Sequence, residues 1–555
     1  MKFNNIHILN LSVLKDLIKK LVNYENKELP DLGNLIKNLK FTKKLKSKKI
    51  LIATSTGGLY SHLIIESILG TALKFKGAEV EFFLCDGALP ACLMCTTVSI
   101  SETELLKKGP KKICSSCFFD SNSYLKKANF NIHQMSNYLE ASDYAKAKKI
   151  SEKVEFNKIK NYKIGGVPVG MHAYAAALRY YGIIDLKIEN NSHLVLKKYF
   201  ESALITKFSL DKFFKINKYD LIIMNHGIYT PQGILNEMAI IKKIKIITWY
   251  PFYRKKTIGF SSGDTYHREY LNEKNSSWVN MDFNKKKNII IKNYLNSRKT
   301  GKNDWIYFFN KINFDKKDFY KKYNINKKLP IIGLATNVIW DAQIDYPNKA
   351  FKNILDWVFL TIDFFRKNQN LQLIIRVHPA EINTDRPARQ RIEEEIKNKF
   401  HSLPQNIIII PAEDPISTYT VFEDCNSVLI YASKMGIELP ALGIPVIVAG
   451  EGQIKNKKIA IDINSINEYK KILRKLPIDK NKYLNKEKIK RAKKYAYHFF
   501  FRKSFVIKSL EERVNKWPNV GIDKNFANNL VHDKDNGTNA ICDAILNDKK
   551  LICYL

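Results

Sequence analysis

The sequence predicts an α/β protein with two doubly wound, Rossmann-like domains that face each other across a cleft. Short apolar segments alternate with helical patterns in both halves of the chain, which is typical of parallel sheets covered by helices. A charged, asparagine-rich stretch from 284 to 326 separates the two series. The chain of 555 residues is also too long to fold around one core.

The first series opens with a strand, a glycine turn, a helix and a second strand, which together form the βαβ unit of a parallel sheet. Its elements are predicted at Lys49–Thr54, Ser61–Gly77, Glu79–Cys85, Tyr219–Asn225, Pro231–Lys243 and Lys245–Tyr250. The second series begins with a strand at Pro330, followed by a helix with one apolar face. This helix is predicted at Phe351–Phe365, and the elements after it are predicted at Leu371–Val377, Ala388–Phe400, Asn406–Ile410, Ser427–Tyr431 and Pro445–Ala449.

These patterns divide the chain into four parts. Residues 1–48 form an N-terminal helical extension and linker, and residues 49–290 form the first domain, with a cysteine-rich insertion at 85–120. Residues 326–485 form the second domain. Residues 486–555 form a helix that crosses back toward the first domain, and a tail.

The net charge is strongly positive, at +38 from 92 basic and 54 acidic residues. One interpretation is a coding bias that fills solvated positions with lysine. The other is attraction to anionic partners such as small anionic ligands, phospholipid headgroups or nucleic acid. No basic motif interleaved with aromatic residues is present, so we expect no nucleic-acid partner.

The N-terminal segment bears on the location of the protein. It has no apolar core followed by small residues, and no stretch approaches the ~18 apolar residues of a membrane span, so we expect a cytoplasmic protein. Apolar residues at helical spacing from Leu11 to Leu21, with lysines among them, predict a basic amphipathic helix. This helix either docks on its own domain or contacts the inner membrane peripherally.

Four cysteines form two C-x2-C pairs, Cys92 with Cys95 and Cys114 with Cys117, 18 residues apart. This spacing predicts a structural zinc site of four thiolates. Free buried thiols and an iron–sulfur cluster are the alternatives, because disulfides are rare in the cytoplasm.

The first domain offers several candidate site residues. Gly57 and Gly58 lie between a strand and a helix, where backbone N–H groups can approach an anion. Histidines and a carboxylate near strand ends are candidates for binding an acceptor or for general-base catalysis. We take Asp264, His267 and His62 as candidate catalytic residues, and His172 and His226 as candidate binding residues. An ordinary turn, a capped helix and solvated loops are the alternative interpretations.

The second domain offers a more specific pattern. Arg376 and His378 follow a strand directly and can meet a phosphate or a sugar. Ser433 would cap a helix whose positive end faces the cleft, with Gly436 and Glu438 on its first turns. Glu438 can accept hydrogen bonds from ribose hydroxyls. The alternative is a buried helix in which Glu438 pairs with a basic neighbour.

The motifs RVHPAE at 376–381, DPIS at 414–417 and IYASKMGIELPALGIPVIVAG at 430–450 resemble the nucleotide-sugar half of GT-B glycosyltransferases. Together with STGGLYSH at 55–62 and LCDGALPAC at 84–92, they look like the capsule polysaccharide biosynthesis family, in a bacterial surface-carbohydrate subgroup. The cysteine pairs are not part of the general GT-B pattern.

This resemblance implies a transferase that moves a sugar from a nucleotide-sugar to a capsule or other surface-polysaccharide acceptor, without an obligatory metal at the reaction centre. It implies that Ser433, Gly436 and Glu438 hold the donor nucleotide, with Arg376 and His378 near its phosphate or sugar. A lipid-linked or polysaccharide acceptor would bind the first domain. A nucleotide-sugar 2-epimerase of the same fold and a non-catalytic capsule-assembly factor are the alternative functions.

Overall fold

The computed structural model of the protein describes residues 29–41, 47–301, 303–305, 307–341, 346–384, 387–513 and 519–553. The amphipathic segment predicted at Leu11–Leu21 lies outside these ranges. Within them, no helix is long and apolar enough to cross a lipid bilayer.

Fifteen strands occur in the described ranges. They are β1 (Lys49–Ser55), β2 (Glu79–Leu84), β3 (Asn131–Gln134), β4 (Leu221–Asn225), β5 (Lys245–Pro251), β6 (Thr257–Ser262), β7 (Ile331–Ala335), β8 (Gln372–Arg376), β9 (Ile407–Ile410), β10 (Ser427–Ile430), β11 (Val446–Val448), β12 (Ile461–Asp462), β13 (Ser504–Val506), β14 (Leu510–Glu512) and β15 (Val520–Ile522).

The helices of the first half connect these strands and cover the sheet. They are α1 (Leu32–Ile36), α2 (Tyr60–Phe75), α3 (Met94–Thr97), α4 (Glu102–Lys108), α5 (Lys111–Lys127), α6 (Ala141–Lys153), α7 (Phe156–Ile159), α8 (Val169–Tyr181), α9 (Ser192–Ile216), α10 (Gln232–Ile241), α11 (Tyr266–Asn272), α12 (Ser276–Val279) and α13 (Lys285–Arg298).

The second half and the tail carry the remaining helices. They are α14 (Lys316–Lys322), α15 (Ile354–Lys367), α16 (Ile392–Lys399), α17 (Thr418–Phe422), α18 (Met435–Ala441), α19 (Ile466–Leu473), α20 (Lys480–Tyr483), α21 (Lys486–Tyr497), α22 (Phe526–Val531) and α23 (Asn536–Leu546). Short 3₁₀ helices cover Met135–Tyr138, Leu186–Ile188 and Pro379–Glu381, and a π-helical turn covers His498–Arg502.

The two large sheets confirm the predicted fold class. The first has the order β13-β6-β5-β4-β1-β2-β3, in which the strands from β5 to β3 run parallel, and β6 pairs antiparallel with both β5 and the edge strand β13. The second is entirely parallel, in the order β12-β11-β10-β7-β8-β9. In each sheet the first strand lies centrally, so the chain order reverses between β1 and β4 and between β7 and β10. Ligands of open α/β sheets bind at such reversal points.

Each sheet is covered by a hydrophobic core on both faces, because its central strands are buried on both sides. In β1, Ile50 and Ile52 pack into one core while Leu51 and Ala53 pack into the other. The period-2 alternation of β1 therefore distributes side chains to both faces of the first sheet.

The predicted apolar helix face from Phe351 to Phe365 is confirmed, since its residues pack in the core on one face of the second sheet.

The end of the chain returns to the first half. Helix α21 packs on α18 of the second half, and β13 then pairs with β6 through Ser504 opposite Gly259. The following segment adds the small sheet β14–β15 and the helices α22 and α23, whose apolar residues join the core of the first sheet. Residues of the tail therefore complete the hydrophobic core of the first half.

Candidate active site

A large cavity of about 1190 Å³ separates the carboxyl ends of the parallel strands of the two large sheets. Its walls include residues that directly follow β4, β5, β7, β8 and β10. We call this cavity the cleft. It lies at both reversal points, which is where the topology of open α/β sheets places ligands.

Five of the residues that the sequence predicted for the site line the cleft. They are His226, His267, Arg376, His378 and Ser433. The first two come from the first half and the other three from the second, so the structure brings the two predicted groups to opposite walls of one cavity.

Lys434 lies in the segment between β10 and α18 and lines the cleft, but the sequence analysis did not select it as a site residue. Its ammonium lies 4.8 Å from the centroid of the Tyr253 ring, and both residues line the cleft. Burial, and then the neighbouring charge of Arg298, lowers the pKa of Lys434 to about 8. A partly desolvated ammonium in a cavity attracts an anion strongly. The signal was present, because a lysine follows the capping serine in the motif at 430–450.

Glu438 lies beneath the cleft surface, in contrast to its predicted role. Its carboxylate accepts a hydrogen bond from the Tyr419 hydroxyl at 2.7 Å and pairs with the Arg298 guanidinium at 2.7 Å. The residue is fully buried, so the carboxylate is occupied by protein groups and not by a ribose. Arg298 also pairs with Asp304 at 2.5 Å, and Arg298, Asp304 and Tyr419 line the cleft in its place. The alternative interpretation, a buried glutamate with a basic partner, describes this arrangement.

Gly436 also has a packing role. A Cβ atom added there would lie 2.6 Å from Ile430 Cδ1 and 3.0 Å from Ile454 Cγ1. The glycine therefore lets helix α18 pack against the end of β10. Ser433 remains at the cleft, and its hydroxyl accepts a hydrogen bond from the Met435 N–H at 3.3 Å.

Arg376 supports the cleft wall from behind. It is 2% exposed, and its guanidinium donates to the backbone carbonyl of Asp414 at 2.8 Å and to that of Pro411. Burial lowers the pKa of Arg376 to about 10. These bonds hold the loop that follows β9, which contains the DPIS motif at 414–417. Arg376 borders the cleft but is almost entirely buried.

His378 presents a neutral imidazole to the cleft. Its Nδ1 accepts a hydrogen bond from the Ala380 N–H at 3.1 Å, so the proton of the neutral ring lies on Nε2. Burial, followed by the charges of Lys434 and Arg376, lowers the pKa of His378 to about 3. His378 therefore donates a hydrogen bond from Nε2 at neutral pH.

The first half contributes His226, His267 and a cation that the sequence analysis did not single out for the site. His267 Nδ1 contacts the Tyr346 hydroxyl, and burial lowers the pKa of His267 to about 4. Arg179 of α8 lies against the rings of Tyr229 at 4.7 Å and Trp340 at 5.2 Å. The contact of His267 with Tyr346 and the contact of Arg179 with Trp340 therefore join the two halves across the cleft.

Three predicted residues of the first half lie away from the cleft surface. His172 is fully buried, with Nδ1 2.5 Å from the Ile228 carbonyl oxygen and Nε2 3.4 Å from Glu237. Asp264 accepts a hydrogen bond from the Thr265 N–H at 2.7 Å and one from Asn236 at 3.3 Å, and so shapes the start of α11. His62 packs edge-on against Trp249 at 5.3 Å, behind the cleft wall. The structure therefore does not bring His172, Asp264 or His62 to the lining of the cleft.

The glycine turn after β1 is closed by protein. A Cβ atom at Gly57 would lie 2.1 Å from the Ser121 hydroxyl, and one at Gly58 would lie 2.9 Å from the end of Met94. The Gly58 N–H donates to Cys117 Sγ at 2.9 Å. Helix α5 therefore covers the turn, and the glycines permit this close packing instead of the approach of a phosphate.

The cysteines meet, but the zinc prediction is not supported. Cys85, Cys92, Cys114 and Cys117 line one small cavity, yet among the described residues no group of three or more metal-ligating side chains is placed to hold a metal ion. The backbone N–H of Cys92 donates a hydrogen bond to Cys95 Sγ at 3.5 Å. Cys114 and Cys117 lie within the 17-residue helix α5 and not on a zinc-knuckle turn. Burial raises the pKa of both thiols to about 12.

The fold and the cleft define an α/β protein with two Rossmann-like halves that face each other across a cavity. No protein-family model matches the sequence, and no curated protein sequence matches it. Solved structures that are similar include two Thermosulfurimonas dismutans KpsC transferases. The beta Kdo 2,4 transferase is 11% identical, with a TM-score of 0.35, over 56% of this chain and 87% of that one. The beta Kdo 2,7 transferase is 13% identical, with a TM-score of 0.33, over 59% and 88%.

A third similar structure is the S. aureus MnaA-UDP co-structure. It is 12% identical, with a TM-score of 0.28, over 80% of this chain and 91% of that one. All three are distant similarities.

Proposed function

We propose that this protein is a glycosyltransferase that moves a sugar from a nucleotide-sugar to a capsule or other surface-polysaccharide acceptor. The observation that carries the proposal is the buried ammonium of Lys434 in the cleft wall that follows β10, on the same side of the cavity as the Nε2–H donor of His378. An ammonium and a neutral hydrogen-bond donor beside the reversal point of the second sheet suit the phosphate of a nucleotide-sugar.

The arrangement of the second half supports a donor site. Lys434 lies over the Tyr253 ring, and the guanidinium of Arg298 lies 5.3 Å from the same ring. His378 adds a neutral hydrogen-bond donor on the same side of the cavity. A cavity of about 1190 Å³ exceeds the ~300–1,000 Å³ typical of a site for one small ligand, which leaves space for an acceptor against the first half.

In the proposed reaction, an acceptor hydroxyl oxygen forms a bond to the anomeric carbon of the donor sugar. The bond between that carbon and the phosphate oxygen breaks, and the nucleotide leaves with the electron pair. Lys434 stabilises the negative charge that develops on the phosphate, and the Nε2–H of His378 can donate a hydrogen bond to it. The acceptor, lipid-linked or polysaccharide, belongs to the first half in this scheme, and the reaction takes place on the cytoplasmic side of the membrane.

A thermal-shift screen tests the proposal. We expect CMP-, UDP- or GDP-linked sugars of one base to raise the melting temperature, because a ligand that binds only the folded state stabilises it. The same ligand should give a smaller shift with Lys434→Ala, and an unchanged shift with Lys399→Ala, which removes an exposed lysine of the same half.

Two results would count against transfer. If no nucleotide-sugar shifts the melting temperature, the cleft is not a donor site. If the wild type converts a nucleotide-sugar into its epimer without any acceptor, as followed by NMR, the protein is an epimerase.

A further inference from the structure

The backbone at His226 is held in an unusual conformation. His226 follows the last residue of β4 and has φ +52°, and Gly227 after it has φ +76°. Residues other than glycine rarely adopt positive φ, and such conformations persist mainly where the surrounding structure enforces them at functional sites. The conformation turns the chain at the reversal point of the first sheet, between β1 and β4, where His226 lines the cleft.

The imidazole of His226 has a ring nitrogen for which the described residues provide no hydrogen-bond partner. Within the described part of the chain, Nδ1 of His226 is buried without a hydrogen-bond partner, and the same holds for Nδ1 of His62 behind it. The buried Asn225 Oδ1 and Thr230 Oγ1, on either side of His226 in sequence, are also unpaired there. Buried polar groups in native proteins are normally hydrogen-bonded. His226 is the one of these four residues that lines the cleft, so we infer that a polar ligand or water in the cleft completes its imidazole.

His226 is neutral at physiological pH. Burial, followed by the charges of Arg179 and His267, lowers the pKa of His226 to about 3. A neutral imidazole has a lone pair that can accept a proton. An anionic donor bound in the cleft opposes the effect of Arg179 and raises the basicity of the ring.

We propose that His226 is the catalytic residue that accepts the proton of the acceptor hydroxyl, an inference that rests on the proposed transfer reaction. As the acceptor oxygen bonds to the anomeric carbon, its proton passes to an imidazole nitrogen of His226. The carbon–oxygen bond to the phosphate breaks, and the electron pair leaves with the nucleotide beside Lys434. Lys434 stands on the wall of the second half and His226 on that of the first, so base and leaving group approach the sugar from different sides.

The test uses two substitutions chosen for the positive φ. His226→Asn retains a residue that tolerates this conformation but cannot accept the proton, and His226→Gly fits the conformation and leaves space for free imidazole. The substrate is the nucleotide-sugar that gives the largest thermal shift, with water and mono- and oligosaccharides as acceptors. We expect donor affinity in calorimetry to change less than about threefold, while kcat falls by about 10²–10⁴-fold. Added imidazole should restore part of the activity of His226→Gly, and His193→Ala, which removes an exposed histidine of the same half, should retain full activity.

The possible failures are distinguishable. Turnover of His226→Asn within about threefold of the wild type overturns the inference, and so does a loss in His226→Gly that imidazole does not relieve. A wild type that binds donors but transfers sugar to no acceptor also overturns it. A wild type that binds no nucleotide-sugar refutes the proposed function itself.

Discussion

Replacing Glu438 by glutamine should lower the free energy of unfolding by about 3 kcal/mol. Removing one partner of a buried ion pair costs about 3–5 kcal/mol, because the other charge is left in a poorly solvated place. Glu438 is fully buried, and the side chain of its partner Arg298 is 7% exposed. We expect the lower end of the range, because Asp304 still pairs with Arg298 in the variant.

Urea denaturation followed by circular dichroism measures this change. The matched control is Glu394→Gln, which removes an exposed carboxylate of the same half and should alter the unfolding free energy by less than about 0.5 kcal/mol. If Glu438 instead bound the ribose directly, its substitution would leave stability unchanged and weaken only nucleotide binding. That outcome would contradict the burial and pairing of Glu438.

Much of the fold was predictable because its central strands have simple signals. Segments such as Ser427–Tyr431 are short, apolar and followed by turn residues, and the structure has a strand at each predicted position. Helix α9 was missed because it is buried on several sides: residues from Ser202 to Leu210 are all buried, so no clean period of 3.6 remains. The edge strand β13 was missed because its pairing with β6 joins residues about 245 positions apart, which no local pattern reveals.

The site was less predictable because residue type does not show which way a side chain points. The motif at 430–450 correctly indicated the segment that borders the cleft, but it favoured Glu438 over Lys434. Arg298 ends helix α13 in the charged, asparagine-rich stretch from 284 to 326, and only the fold brings it to Glu438. In the same way, the spacing of the cysteine pairs suited zinc, while helix α5 holds Cys114 and Cys117 in a different geometry.

Lys434 should control donor affinity and its dependence on pH. Lys434→Ala is expected to weaken binding of the donor nucleotide-sugar by about 10- to 100-fold, because a hydrogen bond to a charged group contributes about 1.5–3 kcal/mol. Burial lowers the pKa of Lys434 to about 8, and the ammonium carries its charge only below that value. The affinity of the wild type should therefore fall as the pH rises from about 7 to about 9, since the phosphate diester or diphosphate of the donor keeps its charge throughout this range.

The Lys434→Arg variant separates the effect of the side chain's charge on donor affinity from the effect of its shape. Arginine stays protonated across this range, so its affinity should be nearly independent of pH, although its planar guanidinium fits the site less well than the ammonium does. Calorimetric titrations at several pH values test this directly. A wild-type affinity that does not change with pH, or a Lys434→Arg variant that retains the same pH dependence as the wild type, would show that another group sets the charge of the donor site.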